Sequence, residues 1–165
     1  MTERTARSEP DDVTRETNDG GLRHVFELEI AAGSEEVWRA LTDPDLTQRY
    51  FYDCRLETTL EAGTPYAYRS SRDPQPGMEG TVLVAEPPHR LQLTAAYRFA
   101  EDLEPSTRED APHRVTWEIE PIAPAGGRRG KRCRVRVTSD RFAGETATFK
   151  WSANVTLAAL RGLKN

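Results

Sequence analysis

Residues 144–165 read GETATFKWSANVTLAALRGLKN. Apolar side chains recur in this stretch at intervals of three and four residues, at Phe149, Ala153, Leu157 and Leu160, which is the spacing of one helix face. A helix with such a face is stable only when it packs against a large apolar surface. The chain before it offers short strands, so the sequence predicts a sheet that packs onto one C-terminal helix.

Most of the chain between its first 21 residues and this helix alternates apolar and polar residues in short runs separated by turns. The clear runs are residues 22–31, 81–86, 90–97, 113–120 and 131–138, with weaker runs at 54–58 and 66–69. Such alternation predicts half-buried strands. The connections are short, and this favours antiparallel pairing, since parallel neighbours need a long crossover.

Two short helices are predicted directly after the first strand. Ser34 can cap the first helix, which contains the apolar residue Trp38. Asp43 and Pro44 restart the chain as the cap and the first residue of a second helix, which ends in the aromatic residues 50–52. The order of one strand, two helices, further strands and a long helix is an α+β arrangement.

Three segments of the chain resemble the START-like (SRPBCC) superfamily, and within it the family related to the C-terminal domain of the activator of Hsp90 ATPase. They are VWRALTDPDL at residues 37–46, GTVL and PPHRL within residues 80–91, and VTWEIEP and RCRV within residues 115–135. The resemblance implies a helix-grip fold of the START and Bet v 1 type. This fold is a curved antiparallel sheet of about six to seven strands around the final helix, with a pocket between them. Members of the superfamily bind lipids, sterols, polyketides or hormones, and some catalyse aromatic cyclisation or dehydration.

The resemblance covers residues 22–165, which we predict to be a single helix-grip domain. Residues 1–21 are predicted to be a disordered tail, since they are polar and have no apolar periodicity. The tail carries six acidic residues and three arginines, so it holds most of the formal net charge of −4. The nearly neutral domain gives no electrostatic reason to expect nucleic acid as a partner. The basic run at residues 128–136 is interpreted as a solvated strand face, because its charges alternate with apolar residues.

No apolar run reaches the roughly 18 residues that a membrane-spanning helix needs. The N-terminal residues have no secretory signal pattern, so we expect a cytoplasmic protein. Cys54 and Cys133 are far apart in the sequence and are interpreted as buried thiols, not as a disulfide or a metal site. No cofactor and no metal is predicted. The oligomeric state stays open, with a homodimer as one option.

The candidate ligand-binding residues are aromatic side chains that a curved sheet and its helices could turn inward. They are Tyr50, Phe51, Tyr66, Tyr68, Tyr97, Trp117, Phe142 and Trp151. Aromatic stripes also occur in ordinary cores, and this alternative stays open. Buried phenol and indole groups need hydrogen-bond partners and would give an apolar cavity a few polar anchors. No catalytic residue is assigned, because His24, His89 and His113 are scattered and are interpreted as surface or strand-end residues.

These features predict a binding protein for a small apolar or amphipathic molecule, with an internal hydrophobic cavity. The alternative is an enzyme of the polyketide aromatase/cyclase kind, a cyclase or dehydratase-type lyase that uses the same cavity, although no acid–base pair is identified. A third hypothesis is a co-chaperone-like protein-interaction domain. A cavity above roughly 300 Å³ lined by Tyr50, Tyr66, Tyr97 and Trp117 would favour the first two hypotheses. A filled core with an exposed apolar patch would favour the third.

Overall fold

A computed structural model describes residues 13–17, 23–72, 76–98, 112–123, 130–142 and 147–164, with the backbone alone for 13–17, 147–151, 154 and 164. The strands are β1 (Val13–Thr17), β2 (His24–Ile30), β3 (Cys54–Thr58), β4 (Pro65–Ser70), β5 (Met78–Glu86), β6 (Arg90–Tyr97), β7 (His113–Ile122) and β8 (Arg132–Asp140). The helices are α1 (Ser34–Thr42), α2 (Pro44–Tyr50) and α3 (Ala147–Lys164). The predicted α+β composition is therefore confirmed.

All of these strands pair in antiparallel fashion in one curved sheet with the order β1-β2-β8-β7-β6-β5-β4-β3. From β3 to β8, strands that follow one another in the chain are also neighbours in the sheet. The helices α1 and α2 carry the chain from β2 to β3, which lies at the far edge of the sheet. The helix-grip fold predicted from the sequence is confirmed.

The strand β1 is not predicted by the sequence analysis, which assigns residues 1–21 to a disordered tail. Val13–Thr17 instead pairs with β2 and forms one edge of the sheet. The segment has the sequence VTRET, which contains one apolar residue, so its apolar pattern does not predict a strand. Backbone hydrogen bonds to the neighbouring strand are sufficient to hold a polar edge strand. The remainder of the predicted tail lies outside the described residues.

The two short helices begin at different kinds of cap residue. Gly33 is the N-cap of α1, and its own N–H donates to the carboxylate of Glu36 at 3.0 Å. This corrects the prediction that Ser34 caps α1, since Ser34 is the first helical residue. Asp43 caps α2 as predicted, because its side chain accepts a hydrogen bond from the N–H of Asp45 at 2.8 Å.

The concave face of the sheet is apolar over most of its area. A row of directly opposed side chains crosses it, formed by Phe26, Val137, Trp117 and Leu91 on β2, β8, β7 and β6. All four side chains are buried in one cluster with side chains of α1 and α3. Burying a side chain of this size stabilises the fold by about 1.5–3 kcal/mol relative to exposure. The helices therefore cover a hydrophobic surface that the sheet cannot expose to water.

The outer face of the sheet carries charged side chains in opposite pairs. Arg136 contacts Glu27 across the β2–β8 pair at 2.7 Å, and Arg134 contacts both Glu29 at 3.4 Å and Glu120 at 3.1 Å. These pairs are partly exposed, so each contributes little to stability. They confirm a partly solvated strand face for Arg134 and Arg136 of the basic run, whereas Arg128 and Arg129 lie outside the described residues.

The C-terminal end of α3 packs on the end of α2 through a glycine. A Cβ atom added to Gly162 would overlap the Cβ atom of Tyr50 and lie 2.7 Å from two of its ring carbons. Tyr50 is fixed in this position because its hydroxyl donates to the backbone oxygen of Ala40 at 2.9 Å. The absence of a side chain at Gly162 thus sets how closely α3 approaches α1 and α2.

Replacing Gly162 with alanine should destabilise the protein by about 2 kcal/mol, because the new methyl group must displace Tyr50 or shift the end of α3. Alanine is otherwise the better helix former by about 1 kcal/mol, so a loss of stability has to come from packing. Urea unfolding of the wild type and the variant measures this difference. The change Arg161→Ala at the exposed neighbouring position is the control and should stay within about 0.5 kcal/mol. A Gly162→Ala variant at least as stable as the wild type would contradict this description of the contact.

Candidate binding site at one end of the concave face

Four buried polar side chains, called the polar cluster below, lie at one end of the concave face: His24, Tyr97, His113 and Ser139. Ser139 on β8 is directly opposite His24 on β2 and opposite Val115 on β7. His113 is two residues before Val115, so it lies on the same face and diagonal to Ser139. The hydroxyl oxygen of Tyr97, the last residue of β6, lies 3.5 Å from Nε2 of His113. Each of the four residues is at most 4% exposed.

The polar cluster contains side-chain atoms that are buried without a hydrogen bond. Within the part of the chain that the structure describes, neither Nδ1 of His113 nor Oγ of Ser139 has a partner. The buried hydroxyl of Thr47 shows the usual arrangement, since it donates to the oxygen of Cys54 and accepts from the N–H of Leu56, both at 3.1 Å. A buried polar atom without a partner costs about 1–3 kcal/mol. The two atoms therefore mark a point where a polar group of another molecule would be stabilised.

Aromatic rings surround His113. Phe142 stacks on the His113 ring with 4.6 Å between the ring centroids, and it meets the His24 ring edge-on at 5.9 Å. The Tyr97 ring lies 5.2 Å from that of His113. Two of the residues predicted from the sequence to bind a ligand, Tyr97 and Phe142, are thus brought together around a histidine that was not among them.

His113 and Tyr97 are both uncharged near pH 7. Burial lowers the pKa of His113 to about 4, His24 lowers it further, and the nearby carboxylate of Asp140 acts in the opposite direction. Burial, and to a lesser extent the neighbouring Tyr52, raises the pKa of Tyr97, so its hydroxyl keeps its proton. Asp140 itself is held outside the cluster by Arg114, whose guanidinium donates to both carboxylate oxygens at 2.8 and 2.6 Å. His113 and Tyr97 therefore offer hydrogen-bonding groups that carry no charge.

Tyr52 is partly exposed and acts electrostatically on Tyr97 of the polar cluster. It follows α2, and both Tyr52 and Asp53 have left-handed backbones, with φ of 52° and 58°. The Tyr52 side chain is 43% exposed, its ring meets that of Phe51 at 5.2 Å, and it interacts electrostatically with Tyr97. Left-handed conformations are costly for residues other than glycine and concentrate at functional sites and in turns. Tyr52 was not among the predicted site residues.

Three of the predicted site residues, Phe51, Tyr66 and Tyr68, form a second aromatic group on the concave face. Tyr68 lies between the other two, with ring centroids 4.7 Å from Phe51 and 5.9 Å from Tyr66. The Tyr66 hydroxyl donates to the backbone oxygen of Thr94 at 2.6 Å, which gives it a structural role. Burial raises the pKa of both tyrosines, so both are uncharged.

The remaining predicted residues lie in three different settings. Trp117 is 8% exposed, in the row of opposed apolar side chains on the concave face. The side chain of Trp151 lies outside the described residues. Tyr50 lines a cavity of about 550 Å³ among α1, α2 and the C-terminal end of α3, together with Ala40, Leu46, Arg49, Gly162 and Leu163. Tyr66, Tyr97 and Trp117 do not line this cavity, which therefore differs from the one expected from the sequence.

The histidines and the serine of the polar cluster were not among the residues predicted to bind a ligand. His24 and His113 do begin strands, as one of the two interpretations had it, but both are buried, so a surface position is wrong for them. The alternation of inward and outward residues along β7 and β8 could have identified His113 and Ser139. His113 is in register with the inward residues of β7, and Ser139 continues the inward row of β8 that begins at Cys133. Polar residues at inward positions of otherwise apolar strands were the feature to look for.

The described residues were also compared with the expectations about metal ions, cysteines and membrane-spanning helices. They contain no group of three or more His, Cys, Asp or Glu side chains that could hold a metal ion. Cys54 and Cys133 are both buried free thiols, as predicted, and burial raises the pKa of Cys54 to about 11. None of the described helices is long and apolar enough to cross a membrane.

The burial of His113 predicts that the protein loses stability as the pH falls. Its pKa is about 4 in the folded protein and 6.5 in an unfolded chain, so the unfolded state takes up the proton first. Stability should therefore drop between these two pH values, by about 3 kcal/mol when the drop is complete. Urea unfolding at several pH values should show that His113→Phe removes this part of the slope. The change His89→Gln at an exposed histidine is the control, and equal slopes for His113→Phe and the wild type would contradict the prediction.

Several solved structures share this fold. CalU16 from Micromonospora echinospora is 20% identical with a TM-score of 0.58, and the match covers 92% of this chain and 80% of that protein. Protein MLL2253 from Mesorhizobium loti is 19% identical with a TM-score of 0.64, over 86% of this chain and 93% of that protein. The HSP90 activator PFC0360w from Plasmodium falciparum is 16% identical with a TM-score of 0.58, over 81% and 86%. At these identities the likeness concerns the fold alone.

A search of curated proteins gave no match. The protein family described as Activator of Hsp90 ATPase homolog 1-like protein matches residues 31–163. This range runs from the residue after β2 almost to the end of α3 and includes all three helices. The chain therefore belongs to the family of activator of Hsp90 ATPase homolog 1-like proteins.

Proposed function

We propose that the protein binds a small apolar or amphipathic molecule between the concave face of the sheet and α3. The observation that carries this proposal is the pair of buried atoms without partners, Nδ1 of His113 and Oγ of Ser139. In a core that only holds the fold together, replacing these groups by apolar ones of similar shape would remove their desolvation cost. A ligand that bonds to them would offset the same cost in the bound state.

The surroundings of the polar cluster support an amphipathic ligand. Next to the cluster on the concave face stand the apolar side chains of Phe26, Val115 and Val137, all buried. A ligand can lie with its apolar body on this surface and its polar end at His113 and Ser139. Among the residues predicted from the sequence, we expect Tyr97 and Phe142 to contact it, because both touch His113.

An enzyme of the aromatase/cyclase kind is the second candidate, and one contact favours it. A phenol hydroxyl next to a neutral imidazole, as in Tyr97 and His113, is a pair that can give and take a proton. The distance of 3.5 Å is long for a hydrogen bond, and such pairs often tighten only when substrate binds. Any reaction would use the same site, so binding has to be tested first.

A protein-interaction role receives less support. The HSP90 activator from Plasmodium falciparum shares the fold, which does not by itself transfer an activity. The exposed large hydrophobic side chains of the described residues are Tyr52 and Leu83. Scattered single apolar residues are normal on a surface, whereas docking sites form contiguous patches.

The binding proposal can be tested with the uncharged fluorescent probe N-phenyl-1-naphthylamine. We expect saturable binding of one probe per chain with a dissociation constant on the order of 10 µM, together with a rise in the unfolding temperature. Probes of the lipid, sterol and aromatic polyketide classes should then displace it.

The control for this experiment is Leu83→Gln, which removes an exposed apolar side chain from the surface. It should leave the affinity for the probe unchanged. Absence of saturable binding by the wild type would refute the proposal, and so would loss of binding in the Leu83→Gln variant, since the probe would then occupy the outer surface.

A further inference from the structure

We propose that the polar cluster holds an uncharged hydroxyl or carbonyl group of the ligand and rejects a carboxylate. This inference rests on the proposed binding function and adds the chemical class of the ligand's buried end. It follows from the kinds of atoms that the cluster leaves without partners, from the outward arginines and the nearby carboxylate of Asp140, and from the rings around them.

The atoms without partners suit one neutral oxygen. A serine hydroxyl can both donate and accept a hydrogen bond, and a neutral imidazole has one donor and one acceptor nitrogen. Where the Tyr97 hydroxyl donates to Nε2 of His113, the proton of the imidazole lies on Nδ1, which then donates. A carbonyl oxygen can accept from both Nδ1 of His113 and Oγ of Ser139. A hydroxyl oxygen can accept from Nδ1 and donate to Oγ.

The arginines of β6, β7 and β8 give a charged group no countercharge at this end of the described concave face. The arginines of β6, β7 and β8 stand at positions that alternate with the buried ones and face outward: Arg90, Arg114, Arg132, Arg134 and Arg136. Arg114 is held by Asp140, and this carboxylate would repel an anion brought to His113. A buried carboxylate without a cation costs far more than a buried hydroxyl with hydrogen bonds. We therefore expect the site to bind neutral groups in preference to negatively charged ones.

The rings beside the cluster favour a flat ligand. Phe142 stacks on His113, and Tyr97 lies at a tilt of 57° to it. Aromatic rings bind other rings well in stacked or edge-on arrangements. A phenol or an aromatic ketone would thus satisfy both the hydrogen-bonding atoms and the rings.

The test compares three probes of the same shape by isothermal titration calorimetry near pH 7: 2-naphthol, 2-naphthoate and 2-methylnaphthalene. The first carries a neutral hydroxyl, the second a carboxylate that is ionised at this pH, and the third a methyl group. For the wild type we expect 2-naphthol to bind at least about tenfold more tightly than either of the others.

Two variants test whether the preference for 2-naphthol depends on Ser139 and His113. Ser139→Ala and His113→Phe should each weaken 2-naphthol by about five- to tenfold and leave 2-methylnaphthalene unchanged, because only the hydroxyl uses these atoms. Ser139→Ala removes a hydroxyl without a partner, so it should fold as the wild type does, and circular dichroism checks this. His89→Gln, at the exposed histidine, is the matched control and should keep the preference for 2-naphthol.

The outcomes separate the two proposals. If 2-naphthoate binds as tightly as 2-naphthol, or if Ser139→Ala keeps the full preference for 2-naphthol, the inference about the buried group is wrong while the binding function stands. If none of the three probes binds, 2-methylnaphthalene included, the proposed function itself is refuted and the inference with it.

Discussion

The concave face of the sheet is apolar over most of its area, so it is stable in water only while another apolar surface covers it. The helix α3 supplies this surface, and Val155, Ala159 and Leu160 are among its buried side chains. The contact of Gly162 with Tyr50 fixes its C-terminal end, while its N-terminal end follows closely on β8. The polar cluster lies where the chain passes from the sheet to this helix, and in it Nδ1 of His113 and Oγ of Ser139 have no hydrogen-bond partner among the described residues.

Tyr66 shows that a buried polar group elsewhere on the concave face does find a partner. Gly80 leaves no room for a side chain, since a Cβ atom there would overlap the backbone oxygen of Thr94. The strands β5 and β6 therefore approach closely, and Tyr66, opposite Gly80, reaches across to donate to the same oxygen. Against this background the missing partners of His113 and Ser139 need a local explanation. A bound polar group explains them without any change in the fold, and it connects a neutral, aromatic site to the binding role that we propose.

Much of the fold could be predicted from the sequence because its signals are local. The cap at Asp43, the proline after it and the alternation in the runs that became β6, β7 and β8 each specify an element on their own. The face of α3 was less predictable. Ser152 and Thr156 are buried beside the expected Ala153 and Leu160, because the helix is enclosed on more than one side. The edge strand β1 is stabilised by backbone pairing with β2. This pairing does not require apolar side chains, so the sequence pattern does not predict it.

The candidate site was predictable only in part, since it depends on which strands become neighbours. The aromatic residues Tyr97 and Phe142 could be selected for their size and position in the sequence. His113 and Ser139 belong to strands whose pairing places them together, and a single sequence does not contain that register. Composition also favours reading an isolated histidine as a surface residue, and this was wrong for His24 and His113.

The central claim is that a neutral group of a ligand bonds to His113 inside the covered concave face. Long-range proton–nitrogen NMR of protein with nitrogen-15 in its histidines observes both ring nitrogens of His24, His89 and His113 directly. Saturation with 2-naphthol should shift the Nδ1 resonance of His113 and leave that of the exposed His89 unchanged. An Nδ1 resonance of His113 that stays in place while 2-naphthol is bound would contradict the account.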